Sequence, residues 1–301
     1  MNILVSGSTG LVGRQLVQRL EKDGHRITPL VRHRKAEGVL WDPNTGEVDT
    51  QGMEGCDAVF HLAGENIAEG RWSRAKKERI RHSRVEGTRL LSRAIASLQK
   101  PPHTFVSASA VGFYGDRGEE KCDESSDPGT GFLAETCIAW EQSTQVATEA
   151  GVRVVLPRLG IVLSKEGGAL AKMLLPFKLG LGARLGTGQQ SMSWISERDL
   201  IELFIFCLNH ESLCGPVNAV APLAVTNREF TRTLAQVVKR PACFAAPAWV
   251  LKTVLGEMAR EMLLAGAHVV PSKLADSGFE FQDPDLTSAL QFLLNGSSVA
   301  H

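Results

Sequence analysis

The segment spanning residues 2–13 constrains the fold of this chain more than any other. Residues 3–5 are apolar and lead directly into Gly7, Gly10 and Gly13, after which an amphipathic stretch begins. A strand, a glycine turn and a helix in this order can bind a dinucleotide: the glycines allow a tight turn, close approach to the phosphates and close helix packing. The start of the helix offers free amides and the positive end of its dipole to an anion. We therefore predict a dinucleotide site, with an ordinary strand-to-helix turn as the alternative.

The residues after the second predicted strand, residues 26–31, bear on the choice of cofactor. Sites that prefer NAD carry an acidic residue near the end of this strand, where it binds the ribose hydroxyls. Here the chain instead continues as Arg32-His33-Arg34-Lys35. A guanidinium can bind a 2′-phosphate through two hydrogen bonds, and its charge favours the additional anion. We therefore predict NADP (NADPH) as the cofactor, with Arg32 as its main contact; the alternative is a solvated basic turn.

Composition and charge narrow the class of protein. The 301 residues carry 33 Lys and Arg against 33 Asp and Glu, a formal net charge of zero, which argues against general binding to nucleic acid or to an anionic membrane. No apolar run approaches the roughly 20 residues that span a bilayer, and the first strand leaves no room for a signal peptide. The six cysteines lack any C-x-x-C pair, which favours reduced thiols in a cytoplasmic protein. We expect no metal site.

Alternating strand and helix patterns in the first half predict an α/β fold, with a Rossmann-type, doubly wound parallel sheet and a smaller C-terminal substrate lobe. We assign residues 1–165 to the NADP-binding domain, with a contribution from about 191–221, and residues 166–190 and 222–301 to the lobe. The main elements expected beyond the second strand are a helix from Ser73 to about Leu98, a strand at 104–107, a helix at 132–150, a sixth strand at 152–156 and a last strand at 215–220.

Ligands of open α/β sheets bind at the carboxyl ends of the strands. Those ends, together with the glycine loop, supply most of the candidate cofactor-binding residues. From these positions we select Gly7, Thr9, Gly10, Leu11, Val12, Gly13, Arg32, Leu62, Ala63, Ser107 and Val162.

Several segments resemble one superfamily. They are Gly7-Ser-Thr-Gly10-Leu-Val-Gly13, His61-Leu-Ala-Gly64, Arg84-Val-Glu-Gly87-Thr88, Ser107-Ala-Ser109-Ala-Val-Gly-Phe-Tyr114-Gly115 and Trp194-Ile-Ser-Glu-Arg-Asp199. Together they resemble the extended short-chain dehydrogenase/reductases, the group that contains the sugar-nucleotide epimerases. Further segments, among them Gly64-Glu-Asn-Ile67, Trp140-Glu141 and Gly215-Pro-Val-Asn218, resemble its atypical "epimerase family" proteins, often labelled cell-division-inhibitor-like. The resemblance covers essentially the whole chain.

This resemblance implies an NADP-binding oxidoreductase or epimerase. It adds Arg84, which stands where the superfamily has an asparagine, to the cofactor-binding residues. The expected partner is a small-molecule substrate, with a sugar or nucleotide-sugar as candidates, and a homodimer is an assembly that the resemblance allows.

The superfamily's catalytic Tyr-x-x-x-Lys motif has no counterpart in the predicted helix 132–150. Aligned through Glu141, Leu133 takes the tyrosine position and Cys137 the lysine position; a shift of one residue gives Phe132 and Thr136. None of these side chains can supply the phenol and ammonium that this proton transfer uses.

Two hydroxyls are the remaining catalytic candidates. Tyr114 is the only tyrosine in the chain; it is either a substitute acid or a tyrosine that closes the loop over the cofactor. Ser109 either orients a substrate oxygen or serves as a loop serine. A second function therefore stays open, that of a non-catalytic NADP(H)-binding sensor or regulator.

Overall fold

The structure, a computed structural model, describes residues 1–296. The strands are β1 Asn2–Ser6, β2 Arg26–Val31, β3 Val39–Asp42, β4 Glu47–Val48, β5 Ala58–His61, β6 Thr104–Ser107, β7 Ser109–Ala110, β8 Lys121–Cys122, β9 Arg153–Leu159, β10 Ile161–Leu163, β11 Ala183–Leu185, β12 Ser191–Met192, β13 Trp194–Ser196, β14 Gly215–Ala219, β15 Val225–Thr226, β16 Phe244–Ala246 and β17 His268–Val269. The α-helices are α1 Leu11–Lys22, α2 Thr50–Met53, α3 Arg74–Ser97, α4 Phe132–Gln142, α5 Gln145–Glu149, α6 Gly168–Lys178, α7 Glu197–Asn209, α8 Asn227–Val237, α9 Ala248–Leu255, α10 Ser272–Asp276 and α11 Leu286–Asn295.

A central sheet organises the molecule in the order β14-β9-β6-β5-β1-β2-β3-β4, and β7 also pairs with β9. Neighbouring strands are parallel from β14 to β3, and β4 is antiparallel to β3. The chain builds outward from β1 in one direction with β2 and β3, and then in the other with β5, β6, β9 and β14. The reversal beside β1 is the switch point where ligands of such sheets bind, so the predicted fold class is confirmed.

Helices cover both faces of the sheet, which is why its central strands are almost continuously apolar. On one face, Leu16 and Leu20 of α1 join Leu203 and Phe204 of α7 in a fully buried cluster. On the other face, Leu91 of α3 belongs to a second cluster together with core residues from α5 and the strands. The sheet is thereby held rigidly between two cores, and its strand ends are fixed in place.

Several element boundaries agree with the sequence predictions. The second strand and the strand at 104–107 have the predicted limits, and Ser73 caps α3 by accepting a hydrogen bond from the Lys76 amide at 3.2 Å. The prediction of one helix over 132–150 was wrong, because the chain forms α4 and α5 with a break at Ser143 and Thr144. Both hydroxyls donate to carbonyls within α4, and such local bonds compete with a regular helix.

Two strand predictions also need correction. The strand predicted at 152–156 extends to Leu159, so its carboxyl end lies further along than expected. Strands β3 and β4 were not predicted; β3 is short but three of its four residues are buried. In the strand numbering of the structure, the strand predicted as the sixth is β9.

Outside the central sheet, the chain forms small two-stranded pairs. β11 pairs with β16, β12 with β15, β10 with β13 and β17 with β8. Helices α6, α8 and α11 pack around a third apolar cluster that includes Phe177, Phe230 and Leu290. Strand β14, by contrast, returns to the central sheet beside β9. The assignment of residues 1–165 and 191–221 to one domain, and of 166–190 and 222–301 to a lobe, stays a prediction.

Candidate functional site

Each glycine of the loop between β1 and α1 lies in a different environment. Gly7 has a φ of +71°, and a Cβ there would lie 2.9 Å from the Ala63 amide nitrogen and from the Leu62 carbonyl carbon. A Cβ on Gly13 would lie 2.1 Å from the Gly7 carbonyl oxygen, whereas one on Gly10 would meet only that oxygen, at 3.2 Å. Gly7 and Gly13 are thus required by the packing of the loop, whereas Gly10 has open space on its exposed side.

The start of α1 is suited to an anion. Gly10 is its N-cap residue, and within residues 1–296 no side chain caps the helix start or places an acidic group in its first turn. Thr9 and Gly10 are exposed, and Leu11 and Val12 are half-buried. Uncapped amides at the positive end of a helix dipole are a ready site for phosphate, so the residues present fit a dinucleotide pyrophosphate.

Ser6 fastens this loop to the end of the neighbouring strand β5. Its Oγ accepts hydrogen bonds from the amides of Leu62 (3.1 Å) and Ala63 (3.2 Å) and lies 2.6 Å from His61 Nδ1. Burial lowers the pKa of His61 to about 3, so the ring is neutral at physiological pH. The two strand ends that flank the switch point are therefore locked together, and His61 has a structural role.

Basic residues after β2 differ in whether they are paired. Arg34 Nη2 lies 3.3 Å from Glu47 Oε2, an exposed ion pair. Arg32 is exposed directly after β2 and makes no ion pair or side-chain hydrogen bond with another residue in the described part of the chain. Arg32 is thus available to an anion, and so is the exposed Lys35, which also makes no ion pair or side-chain hydrogen bond within residues 1–296.

Arg84 is half-buried beneath the turn that follows β5. Its Nη1 donates to the carbonyl oxygens of Glu65 (3.0 Å) and Ile80 (3.3 Å), and its guanidinium carbon lies 5.1 Å from the Trp140 ring centroid. Burial lowers the pKa of Arg84, and the neighbouring Cys137 and Glu65 oppose this effect. Arg84 thus holds a positive charge between the β5 turn and α4.

The remaining candidate cofactor residues occupy different strand ends. Ser107 ends β6 in register with His61, and its Oγ is buried without a hydrogen-bond partner among residues 1–296. Val162 lies in β10, half-buried and paired with Ile195 of β13 rather than in the central sheet. The sequence placed Val162 near the end of the sixth strand, and the structure places it beyond that end, on a separate strand pair.

Helix α4 contains neither a tyrosine nor a lysine. A Cβ on Gly112 would lie 3.4 Å from Leu133 Cβ and 3.7 Å from Cys137 Sγ, so both residues face the turn formed by residues 111–114. Burial raises the pKa of the Cys137 thiol to about 12. An apolar side chain and a protonated thiol therefore occupy this face of α4.

Ser109 and Tyr114 belong to one buried hydrogen-bond network. Ser109 Oγ donates to Glu141 Oε1 (2.6 Å), and Arg158 donates to both carboxylate oxygens of Glu141, from Nε at 2.8 Å and from Nη2 at 2.9 Å. Arg158 Nη1 donates to the Tyr114 hydroxyl at 2.8 Å. That hydroxyl also lies 2.7 Å from Asn218 Oδ1 and 2.9 Å from a backbone carbonyl oxygen.

The two hydroxyls are not free for substrate in this arrangement. Tyr114 is fully buried and Ser109 is 2% exposed. Burial raises the pKa of Tyr114 to about 12, although Arg158 opposes the effect. These features favour the alternative in which Tyr114 holds its loop closed. Glu141 and Asn218 were not predicted as members of the network, although both stand in the segments that carried the resemblance.

The C-terminal segment contacts the start of α4. Glu261, in a π-helical turn at Ala259–Leu263, accepts hydrogen bonds from the amides of Phe132 (3.1 Å) and Leu133 (2.8 Å). Lys77 of α3 pairs with Glu257 at 2.8 Å. Glu261 and Glu257 were not predicted from the sequence, because nothing local marks a contact across so many residues. The segment thereby closes over the helix that bears Leu133 and Cys137.

Over residues 1–296, no group of three or more His, Cys, Asp or Glu side chains is placed to hold a metal ion. None of the described helices is both long enough and apolar enough to cross a bilayer.

Comparison with known proteins agrees with this geometry. The sequence model of the NAD dependent epimerase/dehydratase family matches residues 3–219, which include the glycine loop, the strand ends and the buried network. The chain belongs to this family. Residues 246–293 match a domain of unknown function (DUF1731), so the segment that contacts α4 belongs to a second matched region.

Relatives of this family member cover nearly its whole length. An epimerase family protein of Mycobacterium tuberculosis, MT2273, is 41% identical over 96% of this chain and 96% of its own. The human epimerase family protein SDR39U1 is 35% identical over 97% of this chain and 99% of its own. The resemblance to the epimerase family proteins is therefore confirmed over nearly the whole chain.

Solved structures confirm the fold. The crystal structure of human SDR39U1 (isoform 2) with NADPH has a TM-score of 0.90 and 33% identity, covering 99% of this chain and 100% of that one. A nucleoside-diphosphate sugar epimerase from Corynebacterium glutamicum has a TM-score of 0.82 and 34% identity, covering 100% of this chain and 59% of that one.

Proposed function

We propose that this family member is an NADP(H)-dependent oxidoreductase or epimerase that acts on a small molecule. The observation that carries the cofactor assignment is Arg32, an exposed and unpaired guanidinium directly after β2. A 2′-phosphate is the group that separates NADP from NAD, and a guanidinium binds it through charge-assisted hydrogen bonds. The human relative that was crystallised with NADPH supports the same choice.

The residues proposed to hold the cofactor follow from this geometry. The exposed side of Gly10 and the uncapped amides of α1 would take the pyrophosphate, and Arg32 the 2′-phosphate. The strand ends would supply the remaining contacts, through Leu62, Ala63, Ser107 and Val162, with Arg84 beneath them. NADPH would supply a hydride to the substrate.

Titration of NADPH and NADH into matched variants tests the assignment. Arg32→Ala is expected to weaken NADPH binding by roughly ten- to a hundredfold, or about 1.5–3 kcal/mol, because one charge-assisted contact is lost. NADH binding should change little. Arg34→Ala removes a neighbouring cation that is already paired with Glu47, so it should leave both affinities unchanged. If Arg32→Ala weakens NADPH binding and NADH binding equally, Arg32 does not recognise the 2′-phosphate.

The chemistry proposed for the site departs from that of the wider superfamily. Since α4 offers neither a phenol nor an ammonium group, we infer that the Tyr-x-x-x-Lys pair is missing and that carbonyl reduction by that route is slow. General acid catalysis contributes about 10²–10⁴-fold, and this factor should be absent unless another group replaces it. Ser109 and Tyr114 are the proposed replacement pair, and both would have to leave the Glu141–Arg158 network to reach a substrate.

Turnover measurements test that pair. NADPH oxidation would be followed against a panel of carbonyl compounds and sugar nucleotides for the wild type, Tyr114→Phe and Ser109→Ala. Loss of activity in both variants, with NADPH affinity retained, would support the assignment. Brisk turnover that survives both substitutions would exclude it.

A second candidate function is an NADP(H)-binding sensor or regulator without catalysis. The observation that favours it is the engagement of both hydroxyls within the buried Glu141–Arg158 network. Tight NADPH binding with no turnover across the panel is the result that this function predicts.

We propose a sugar or nucleotide-sugar as the substrate class, with residues 166–190 and 222–301 forming the lobe that binds it. The name of the Corynebacterium glutamicum protein supports this choice. The six cysteines are free, which supports a reducing compartment, and we propose the cytoplasm. A homodimer stays a prediction, to be tested by sedimentation.

A further inference from the structure

A cationic cavity lies away from the dinucleotide loop, on the C-terminal part of the chain. Its volume is about 550 Å³, and five of its lining side chains are basic: Arg184, Arg228, Arg232, Lys239 and Arg240. None of its lining residues is acidic. None of them is among the candidate cofactor-binding residues either, so the cavity is separate from the proposed NADP(H) site.

The basic side chains converge on the cavity from more than one element. Arg228 and Arg232 lie one turn apart on α8, and Lys239 and Arg240 follow the end of that helix. Arg184 belongs to β11, which is held beside α8 by a hydrogen bond from the Leu185 amide to Asn227 Oδ1 at 2.8 Å. The fold therefore assembles this charge from distant parts of the sequence.

Little within the described residues neutralises these cations. Arg184 and Arg228 each donate to the Thr187 carbonyl oxygen, at 2.9 and 3.3 Å, which orients them beside one another. The side chains of Arg232, Lys239 and Arg240 make no hydrogen bond or ion pair with any residue from 1 to 296. Since the whole chain has a formal net charge of zero, the cavity is a local excess of positive charge.

The dipole of α8 accounts for only part of this arrangement. Cations near the last turn of a helix are favoured by its negative end, which applies to Lys239 and Arg240. Arg228 lies in the first turn, where the positive end of the dipole disfavours a cation, and Arg184 lies on a strand. An anion bound among them would explain all of these placements together.

A buried hydroxyl gives a second, independent indication. Thr231 lines the cavity, is 4% exposed, and its Oγ1 has no hydrogen-bond partner among residues 1–296. A buried hydroxyl without a partner costs about 1–3 kcal/mol. Its Oγ1 is closed to solvent in this arrangement, so a ligand oxygen would accept its hydrogen after the threonine side chain rotates towards the cavity.

The lining also indicates the kind of ligand. Guanidinium groups bind phosphate oxygens in pairs of hydrogen bonds, and the remaining surface includes the apolar Ala235, Pro241 and Ala242. A volume of about 550 Å³ is within the range of small-molecule sites. We propose that this cavity is a second anion-binding site, separate from the dinucleotide site, for a small molecule that carries two or more phosphate groups.

Calorimetric titration of inorganic pyrophosphate into the full chain tests the proposal. NADPH would be present at one molar equivalent, so that the dinucleotide loop is filled without an excess of NADPH, which carries phosphate groups itself, competing for the cavity. The double variant Arg232→Gln/Arg240→Gln is expected to lose tenfold or more in pyrophosphate affinity while keeping its NADPH affinity. The control Arg93→Gln/Lys100→Gln removes the same charge from two exposed residues on and after α3, and should bind as the wild type does.

Thr231→Val provides a variant that changes no charge and nearly preserves shape. It is expected to weaken pyrophosphate severalfold without lowering the thermal midpoint, because the hydroxyl that it removes has no partner in the protein. Absence of pyrophosphate binding to the wild type would overturn the proposal. So would equal loss in the two double variants, or unchanged affinity in both Arg232→Gln/Arg240→Gln and Thr231→Val.

Discussion

At the scale of single residues, the most consequential contact is the ion pair between Arg158 and Glu141, whose side chains are only 4% and 11% exposed. The pair also connects the two proposed catalytic hydroxyls, since Glu141 accepts from Ser109 and Arg158 donates to Tyr114. A charge in this environment is tolerated only while its partner is present. The positions of both hydroxyls therefore depend on one carboxylate.

Replacing that carboxylate should destabilise the protein strongly. Glu141→Gln leaves the Arg158 guanidinium buried without a counter-charge, and we expect the free energy of unfolding to fall by about 3–5 kcal/mol. Urea denaturation measures the change. Glu78→Gln breaks the exposed pair between Arg74 and Glu78 and should have little effect. Similar losses in the two variants would contradict the structural role of the buried pair.

His61 should make stability depend on pH. Burial lowers its pKa from 6.5 to about 3, so the unfolded chain takes up a proton below pH 6.5 that the folded protein does not. The free energy of unfolding is therefore unaffected by this group above pH 6.5 and falls as the pH drops towards 3. The loss between pH 7 and pH 5 should be about 2 kcal/mol.

Denaturation at several pH values tests this expectation. His61→Gln removes the titrating ring, so the dependence on pH between 5 and 7 should flatten even if the variant is less stable overall. His82→Gln, at an exposed position on α3, should retain the wild-type slope. A slope that is unchanged in His61→Gln would assign the acid sensitivity to other groups.

At the scale of elements, the turn between β1 and α1 contains one glycine needed for cofactor binding and another needed for the packing of the loop. A Cβ on Gly10 would meet only the Gly7 carbonyl oxygen, at 3.2 Å, whereas a Cβ on Gly13 would lie 2.1 Å from that same oxygen. A side chain at Gly10 can therefore be accommodated by the protein but extends to where a phosphate would approach. One at Gly13 displaces the loop itself.

Two substitutions should separate these roles. Gly10→Val is expected to abolish NADPH binding, while the free energy of unfolding changes by about 1 kcal/mol because the N-cap residue is altered. Gly13→Ala should reduce the free energy of unfolding by about 1–3 kcal/mol through overpacking. NADPH titration and urea denaturation of both variants measure the two effects. A folded Gly10→Val protein with wild-type NADPH affinity would argue against the dinucleotide site.

At the scale of the whole molecule, the C-terminal segment meets the helices of the central sheet at α4. Glu261 accepts from the first two amides of this helix, and Glu257 pairs with Lys77 of α3. An apolar cluster that includes Trp72 and Met258 lies at the same contact. Closure over α4 is therefore maintained by capping, charge and burial together.

Removal of the cap should open this contact locally. Glu261→Ala is expected to cost about 0.5–2 kcal/mol and to speed hydrogen exchange at the amides of Phe132 and Leu133. Glu261→Gln keeps an acceptor oxygen and should lose less. If both amides exchange at the wild-type rate in Glu261→Ala, the segment does not hold the start of α4.

The sequence by itself determined those features that depend on neighbours along the chain. The glycine loop, the strand before it, the cap at Ser73 and the position of Arg32 follow from turn geometry, hydrophobic period and local charge. The order of strands and helices then placed the strand ends on one edge of the sheet. The break at Ser143 and the short strands after residue 38 were not predicted. Local hydrogen bonds decide the break, and tertiary burial stabilises strands whose hydrophobic pattern in the sequence is weak.

Only the tertiary structure decided what the chemical groups do. The sequence left Ser109 and Tyr114 open to a catalytic or a structural role, and the structure engages them with Glu141, Arg158 and Asn218, the last of which lies 104 residues from Tyr114. Glu261 reaches α4 across 129 residues, and Arg184 joins the cationic cavity through the packing of β11 against α8. Whether a group is available depends on burial and on partners far along the chain, which are properties of the packed molecule.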